Sequence, residues 1–448
     1  MKSKRILVAP VNAVGHVNAC IGVALPLLKR GYRIGFIVEK PYSGKLKSHG
    51  FEEFLYEPFK DIDDEQDDDD GEKFKNPGDY LANKLLKMGI LGQKDVRLQL
   101  AKMDGKSMYK FDQRSYENQQ LQMVIESFEP DLIIVDNMKL EPAIFATKKP
   151  WIRIISVVPL IYLQDISNEL PPAWTGFSIN DHHSDWNDLR KFTDVFRFSK
   201  DWNDISESLG YQRYPNDALM PDTQSLTIYA YPEEYDYPEI KKYCKNWFNI
   251  DVFNKNESGE KINLKEFLPK DFYDNDLNGN WSGKWIYVSM GSMGSVDLNL
   301  MHRLIEVLSK TNHKYIVSKG PRHEEYELTG NLWGDRFLPQ TKILPVVDLV
   351  ITHGGNNSVT ETFAQGKPMI IMPLFADQHD NALRLSEKNL AIKIPPYEFT
   401  DEQMIESIDR LLYDKELNQR LLRASKRILQ TNKHEIVCDM IEKILENC

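Results

Sequence analysis

The sequence predicts an α/β protein built from two doubly wound domains that face each other across a cleft. Short apolar runs typical of buried strands alternate with helical stretches in both halves of the chain, and a polar stretch separates the halves. The 448 residues are also too many for one hydrophobic core. We therefore expect two parallel sheets, each covered by helices.

In the first half, taken as residues 1–253, six apolar runs predict buried parallel strands. They read "RILVAP", "RIGFIV", "DLIIVD", "WIRIISVV", "LTIYAYP" and "NWFNIDVF". From 254 to 283 the chain is rich in Asn, Lys, Gly, Asp and Glu, which is typical of a linker between domains.

The second half, taken as residues 284–430, repeats the pattern. Its predicted strands are "WIYVSM", "KYIVSK", "VDLVIT" and "MIIM", the last over Met369 to Met372. Apolar residues at helical spacing then predict helix from Asp401 to Asn447. We treat residues 431–448 as a separate final helix.

The stretch "ITHGGNNSVTE" (351–361) has the pattern of a ligand-binding strand, loop and helix. Val347 to Thr352 predicts a strand, and Ser358 to Ala364 predicts a helix that starts at a Ser/Asn cap. The first turn of a helix has free N–H groups and a positive dipole, so it can bind an anion such as a diphosphate. The alternative interpretation is an ordinary turn with a capping Ser.

Polar loops follow the neighbouring predicted strands as well. They are found in "WIYVSMGSMGS", in "RFLPQ" and in "MPLFADQHDNA". Because ligands bind at the carboxyl ends of parallel strands, we expect these loops to converge on one crevice. The sequence lacks both the G-x-G-x-x-G spacing and the Walker A motif, which argues against NAD and P-loop chemistry.

The same edge of the first domain carries two residues with catalytic potential. His16 lies at the start of a helix after the first strand, whose apolar residues Val17, Ile21, Ala24, Leu25 and Leu28 we expect to pack inward. Asp136 ends the strand "DLIIVD". The alternatives are a surface or capping His and a turn-forming Asp. Asp131 competes as the carboxylate, but it precedes the strand and should lie at the wrong end.

Composition excludes several classes of function. The hydrophobic fraction of 41% and charged fraction of 27% are those of an ordinary globular protein, and the net charge of −11 argues against nucleic-acid binding. The acidic run at 61–72 predicts a solvated loop. The four cysteines lack a C-x-x-C pair, which favours free thiols. With no apparent signal peptide or run of 18 apolar residues, we expect a cytoplasmic protein without a membrane anchor.

The segment from Arg336 to Asn381, "RFLPQTKILPVVDLVITHGGNNSVTETFAQGKPMIIMPLFADQHDN", closely resembles the signature of the UDP-glycosyltransferases of the GT-B fold. Weaker similarity extends through "GHV", "PDLIIVD" and "YVSMGS". The family includes animal detoxification enzymes, plant natural-product enzymes and bacterial macrolide transferases. The resemblance implies that His16 is the general base and that Asp136 orients it. It also implies that the final helix packs back on the N-terminal domain.

The resemblance assigns the donor site residue by residue. The residues implied to bind UDP are Ser292, Phe337, Leu338, Gln340, His353, Gly355, Asn357, Ser358 and Glu361. Those implied to bind the sugar are Asp377 and Gln378. Phe337 stands where the family usually has a Trp stacked on uracil. Glu361 matches the residue that binds the ribose hydroxyls, and Asp377 with Gln378 suits a neutral hexose. Phosphate binding by neutral donors implies no metal ion and no cofactor beyond UDP-glucose as co-substrate.

The resemblance thus implies an inverting UDP-sugar-dependent transferase that glucosylates small lipophilic alcohols or phenols, as a monomer, in xenobiotic or secondary-metabolite conjugation. The segment 157–177 is apolar and aromatic and predicts an acceptor pocket, although core packing would give the same composition. Its candidate contacts are Leu160, Tyr162, Trp174 and Phe177. The rival interpretations are a non-enzymatic UDP-sugar-binding protein, a sugar-nucleotide epimerase and a lipid-intermediate transferase.

Overall fold

Two parallel β-sheets organise the chain. The computed structural model describes residues 4–59, 77–103, 111–163, 169–180, 186–194, 197–223, 225–254, 261–274 and 282–447. The acidic run at 61–72 lies outside these residues. Both sheets are parallel throughout, which confirms the predicted fold class.

The first sheet has seven strands in the order β3-β2-β1-β4-β5-β6-β7. Their bounds are β1 Arg5–Pro10, β2 Arg33–Glu39, β3 Glu52–Tyr56, β4 Leu132–Asp136, β5 Trp151–Ile155, β6 Leu226–Tyr229 and β7 Trp247–Asn249. All six predicted strands are present. The sequence analysis missed β3, because "EEFLY" carries two glutamates and only part of it is buried.

The second sheet has six strands in the order β10-β9-β8-β11-β12-β13. Their bounds are β8 Trp285–Ser289, β9 Lys314–Ser318, β10 Leu332–Asp335, β11 Leu349–Thr352, β12 Met369–Ile371 and β13 Ile392–Lys393. The four predicted strands are confirmed, whereas the two edge strands β10 and β13 are short and were not predicted.

Helices cover both sheets. Their bounds are α1 Val14–Lys29, α2 Pro77–Lys87, α3 Val96–Met103, α4 Phe111–Phe128, α5 Pro142–Ala146, α6 Leu160–Leu163, α7 Trp186–Asp194, α8 Lys200–Ser208, α9 Pro238–Tyr243, α10 Leu264–Phe267, α11 Lys270–Asp274, α12 Gly291–Gly294, α13 Leu298–Leu308, α14 Gln340–Ile343, α15 Asn356–Ala364, α16 Asp377–Glu387, α17 Asp401–Tyr413, α18 Lys415–Gln430 and α19 Lys433–Glu446. The predicted helical tail is confirmed, with breaks after Tyr413 and Gln430.

Side-chain alternation along the strands builds a core on each face of the first sheet. Ile6 and Val8 of β1 pack with α1 and α19, whereas Leu7 packs on the opposite face with residues of α4. One detail of α1 differs from the prediction, because its buried face also includes Cys20, Val23 and Leu27, whereas Ile21, Leu25 and Leu28 are only partly buried.

The segment predicted as a linker is partly ordered against the second sheet. The N–H of Ile262 donates to the carbonyl of Lys342 at 3.1 Å. The ammonium of Lys314, at the start of β9, donates to the carbonyls of Phe272 and Tyr273, each at 2.8 Å. The described part of 254–283 therefore packs on the C-terminal domain instead of forming an extended connection.

The final helix α19 packs against α1 of the first domain. Val437, Cys438, Ile441 and Leu445 join the core beneath the first sheet. Arg30, at the end of α1, forms ion pairs with Glu435, Asp439 and Glu442 of α19. The end of the described chain thus crosses from the second sheet back to the first.

Candidate active site

His16 and Asp136 meet at the carboxyl edge of the first sheet. In the β1–β4 pairing, Pro10 lies beside Asp136, and the N–H of Val11 donates to the carbonyl of Asp136 at 2.8 Å. The chain then turns into α1 and brings Nδ1 of His16 to 3.1 Å from Oδ2 of Asp136. The Asp136 side chain is almost fully buried and that of His16 is 22% exposed. The pair can therefore face the cleft while Asp136 stays shielded from water.

Burial lowers the pKa of His16, but the charge and hydrogen bond of Asp136, with a smaller contribution from the charge of Asp377, outweigh burial and raise it above 6.5. The pKa of His16 is thus higher than that of an exposed imidazole. A base with a raised pKa accepts a proton more readily, which suits removal of a proton from a hydroxyl group.

Ser156 is a partner of His16 that the sequence analysis missed. It follows β5 at the same sheet edge, and its Oγ lies 2.8 Å from Nδ1 of His16. The sequence signal was available, since a hydroxyl directly after a buried strand next to β4 should reach this edge. It was overlooked because "WIRIISVV" was taken as strand throughout.

Asp131 lies at the other end of β4. Its carboxylate accepts the N–H of Arg5 at 2.8 Å, where β1 begins. The prediction that it sits at the wrong end of the strand for catalysis is confirmed.

The loop after β11 packs its histidine between glycines. Gly291 and Gly354 have φ values of +62° and +93°, and a Cβ on Gly291 or Gly355 would come within 2.6 Å of the His353 ring. Burial lowers the pKa of His353 to about 4. The imidazole is therefore neutral at pH 7, and it offers a donor whose position the glycines fix.

The helix after this loop begins earlier than predicted. The first helical residue is Asn356, the cap is Gly355, and no side chain caps the helix. The predicted Ser/Asn cap is therefore wrong, and Asn357 and Ser358 lie inside the first turn. Asn357 donates to the carbonyl of Gly15 in the opposite domain at 2.7 Å. The anion-binding end of α15 thus points toward the start of α1.

Glu361 lies one turn further along α15 between two amides. Gln340 donates to its Oε2 at 2.7 Å, and Asn254 donates to its Oε1 at 3.3 Å. Burial raises the pKa of Glu361 to about 7, although both hydrogen bonds oppose this shift. Asn254 was not predicted, because it belongs to the segment taken as linker.

Phe337 and Leu338 lie on the loop between β10 and α14. The Phe337 side chain is 55% exposed, and the guanidinium carbon of Arg336 lies 5.1 Å from its ring centroid. Leu338 is partly buried, and its carbonyl accepts the N–H of Gln340 at 2.8 Å. An exposed ring beside a fixed backbone is suited to stacking with a nucleobase. Ser292 lies in α12, which packs against α2 of the first domain.

Asp377 begins α16 and lies close to His16 across the domain boundary. Burial raises the pKa of Asp377 to about 7, opposed by the charge of His16 and by the N–H groups of Asn356 and Val158. Gln378 has its Oε1 committed to the N–H groups of Leu374 and Phe375, at 2.9 and 3.1 Å. Only the amide nitrogen of Gln378 is left for a sugar hydroxyl.

The predicted acceptor residues divide into two groups. Leu160 and Trp174 are 1% and 5% exposed and belong to the core. The N–H of Trp174 donates to Asp380 of α16 at 2.6 Å, so this segment joins the two domains. Tyr162 and Phe177 are partly buried. Leu160 and Trp174 therefore pack in the hydrophobic core instead of lining an open pocket.

A cavity of about 680 Å³ lies between the segment containing α2 and α3 and the C-terminal domain. Leu91, Lys94, Leu298, Arg322 and Tyr397 are among its lining residues. No predicted site residue lines it, so it is separate from the His16 centre.

Other expectations concern metals, thiols and membranes. In the ranges given above, no cluster of three or more His, Cys, Asp or Glu has the arrangement of a metal site. Cys20, Cys244 and Cys438 are buried free thiols, as predicted, and Cys448 lies outside the described residues. None of the described helices combines the length and apolar character needed to cross a bilayer.

The chain is similar to several proteins described as glycosyltransferases. A family model described as UDP-glucoronosyl and UDP-glucosyl transferase matches residues 268–430. The NDP-glycosyltransferase YjiC of Bacillus subtilis (strain 168) is 23% identical over 452 residues, covering 100% of this chain and 98% of its own. Among solved structures, the glycotransferase of kitacinnamycin is 16% identical with a TM-score of 0.64, covering 99% of both chains. VinC, solved in complex with dTDP, is 15% identical with a TM-score of 0.61, covering 99% of this chain and 100% of its own.

Two parallel-sheet α/β domains and the likeness to solved glycosyltransferases show that the chain has the GT-B fold. The family match and the full-length relative add the activity class, because both are described as glycosyltransferases. Residues 268–430 match the UDP-glycosyltransferase family model, the similarity to YjiC extends over the whole chain, and the protein is a glycosyltransferase enzyme.

Proposed function

We propose that this enzyme transfers glucose from UDP-glucose, with inversion, to hydroxyl groups of small lipophilic acceptors such as phenols or flavonoids. The observation that carries the proposal is the His16–Asp136 pair at 3.1 Å, with Asp377 close by in the opposite domain. A base in one domain and a sugar-binding carboxylate in the other can hold an acceptor and a donor against each other. A role in xenobiotic or secondary-metabolite conjugation in the cytoplasm, without a metal ion, is part of the same proposal.

The proposed reaction uses these positions. His16 removes the proton of the acceptor hydroxyl as its oxygen attacks the anomeric carbon from the side opposite UDP. The new C–O bond forms while the bond to the UDP oxygen breaks, so the configuration at the anomeric carbon inverts. Asp136 stabilises the imidazolium that results. The N–H groups at the start of α15, with neutral His353, stabilise the charge that develops on the departing diphosphate.

Product formation tests the proposal directly. Purified protein should be incubated with a phenol and flavonoid panel and with UDP-glucose, UDP-galactose, UDP-N-acetylglucosamine or dTDP-glucose, and products should be analysed by mass. We expect a gain of one hexose, greatest with UDP-glucose and absent for His16→Ala. The dTDP-glucose arm is included because VinC was solved with dTDP. A preparation that neither forms product nor binds UDP would contradict the proposal.

Asp377→Ala should impair use of UDP-glucose far more than binding of UDP. Hydrogen bonds to a charged group contribute about 1.5–3 kcal/mol, which corresponds to roughly 10–150-fold in kcat/KM. UDP affinity, measured by calorimetry, should change by less than about 3-fold. Glu387→Ala is the matched control, because Glu387 is an exposed carboxylate on the same helix. Equal losses in UDP-glucose use and UDP binding would show that Asp377 is only structural.

UDP affinity should rise with pH through about 7 because of Glu361. The ionised carboxylate accepts hydrogen bonds from ribose hydroxyls, whereas the protonated group must donate its own hydrogen. Since burial raises the pKa of Glu361 to about 7, the group becomes protonated below neutral pH and UDP binding should weaken there. Calorimetry between pH 6 and 8 measures this trend.

The control for the pH trend is Glu361→Gln, which has nearly the same shape and does not titrate. The phosphates of UDP also titrate, so the decisive quantity is the difference between the two proteins. If the pH dependence of UDP binding were the same in both, Glu361 would not contact the ribose.

A further inference from the structure

Two oxygens from neighbouring strand ends lie against one nitrogen of His16. Oγ of Ser156 is 2.8 Å from Nδ1, and Oδ2 of Asp136 is 3.1 Å from the same atom. Ser156 and Asp136 are 6% and 3% exposed, so water does not compete strongly for either contact. No hydrogen bond involves Nε2 within the described ranges. The second ring nitrogen is thus left for a ligand.

The chemistry of the three groups fixes where the hydrogen lies. A carboxylate only accepts hydrogen bonds, so Asp136 needs a hydrogen on Nδ1. If the Ser156 hydroxyl instead donated its hydrogen to Nδ1, the carboxylate would face a nitrogen lone pair at 3.1 Å, which is repulsive. The consistent arrangement is an Nδ1–H shared between the two oxygens, with the Ser156 oxygen as a second acceptor.

We propose that Ser156 is a positioning residue that acts with Asp136 to hold His16 in the Nδ1–H tautomer, with the Nε2 lone pair directed to the acceptor hydroxyl. This proposal rests on the role of His16 as the base. Two acceptors on different strands fix the ring more firmly than one, because rotation about the side-chain bonds would break both contacts. Ser156 itself need not touch either substrate.

The consequence for acidity has a definite sign. A hydroxyl oxygen that accepts from Nδ1–H stabilises the imidazolium, so its removal should lower the pKa of His16. A hydroxyl that donated to Nδ1 would stabilise the neutral ring, and its removal would raise the pKa. The other groups whose charges act on His16 are Asp136 at the end of β4 and Asp377 at the start of α16. The Cys20 thiol of α1 also lies near Asp136, but burial and the charge of Asp136 raise its pKa, so it is uncharged. None of these is altered by a substitution at Ser156.

The experiment compares Ser156→Ala with Ser156→Thr, which keeps the hydroxyl. For Ser156→Ala we expect kcat to fall by about 3- to 10-fold, as for loss of a neutral hydrogen bond. The acid limb of the kcat/KM profile should move to lower pH by up to about one unit. Ser156→Thr should keep most of the kcat of the unaltered enzyme and most of the position of its acid limb. A shift of the acid limb to higher pH, or none, would overturn the proposal.

Nitrogen-15 NMR of the free protein separates this proposal from the proposed function. In the unaltered protein the His16 signals should report hydrogen on Nδ1, and in Ser156→Ala the share of the Nε2–H tautomer should rise. His16→Ala identifies the signals. If the tautomer is unchanged by Ser156→Ala, the positioning role is wrong even when the enzyme is active. If the tautomer changes but no acceptor is glycosylated, the proposed reaction is wrong and the positioning role stands.

Discussion

His16→Ala is expected to lower turnover by about 10²–10⁴-fold, the usual contribution of a general base. UDP affinity should remain almost unchanged, because the nucleotide contacts are assigned to the other domain. Asp136→Asn should cause part of the same loss. If the NH2 group of the new side chain occupies the position of Oδ2, it cannot accept the hydrogen bond from Nδ1–H of His16. Initial rates with saturating UDP-glucose, together with calorimetry of UDP binding, measure the two effects separately.

The acceptor decides how large the loss is. Phenols of low pKa ionise with little help, so His16→Ala should affect them less than aliphatic alcohols, and it should affect thiols least. His49→Ala is the matched control, because His49 is exposed and lies at the opposite edge of the sheet, just before β3. Near-normal rates of His16→Ala toward an aliphatic alcohol would rule out His16 as the base. A loss of UDP binding in parallel with the loss of activity would also rule out His16 as the base.

The pH profile of the unaltered enzyme tests the role of His16 independently. The net effect of Asp136 and Asp377 is to raise the pKa of His16 above 6.5 despite burial. Only the neutral imidazole acts as a base, so kcat/KM should fall as pH decreases through this raised value. The midpoint of the acid limb is therefore expected above pH 6.5.

Features governed by local pattern were predictable from the sequence. Fully buried parallel strands are largely apolar runs, so β4 was evident from the sequence pattern, as was β5 despite its buried Arg153. That His16 and Asp136 share one edge of the sheet followed from the rule that parallel strands end at the same edge, and their pairing was implied by the family resemblance. The register that places Pro10 beside Asp136 agrees with that reasoning.

Features that depend on how separate segments pack were not predictable. The approach of Asp377 to His16 and the Asn254–Glu361 contact both join the two halves of the chain, and no local pattern reports them. The acceptor segment stayed ambiguous from sequence, because aromatic and aliphatic residues build cores as readily as pockets. Trp174 could have been a pocket or a core residue; it is buried, and its N–H donates to Asp380 in the opposite domain.

Deletion of Thr431 to Cys448 should destabilise the whole protein, because α19 completes the core of the first sheet. Val437, Cys438, Ile441 and Leu445 are at most 3% exposed, and burial of the three aliphatic side chains alone contributes about 4.5–9 kcal/mol. That is comparable to the net stability of a typical domain, about 5–15 kcal/mol. His434 also donates from Nε2 to the carbonyl of Phe253 at 2.8 Å, and Arg30 loses three carboxylate partners. We expect the truncated chain to be recovered mainly as aggregate.

A matched pair of point variants makes the same argument without the risk of total unfolding. Ile441 is fully buried against α1, whereas Ile436 on the same helix is 45% exposed. Ile441→Ala should lower the free energy of unfolding by about 2–5 kcal/mol through loss of buried surface and the resulting cavity. Ile436→Ala should change it by no more than about 0.5 kcal/mol. Urea unfolding followed by circular dichroism measures both. Equal stability of the two variants, or a truncated protein that stays folded and active, would mean that α19 is an accessory to the first domain and not part of its core.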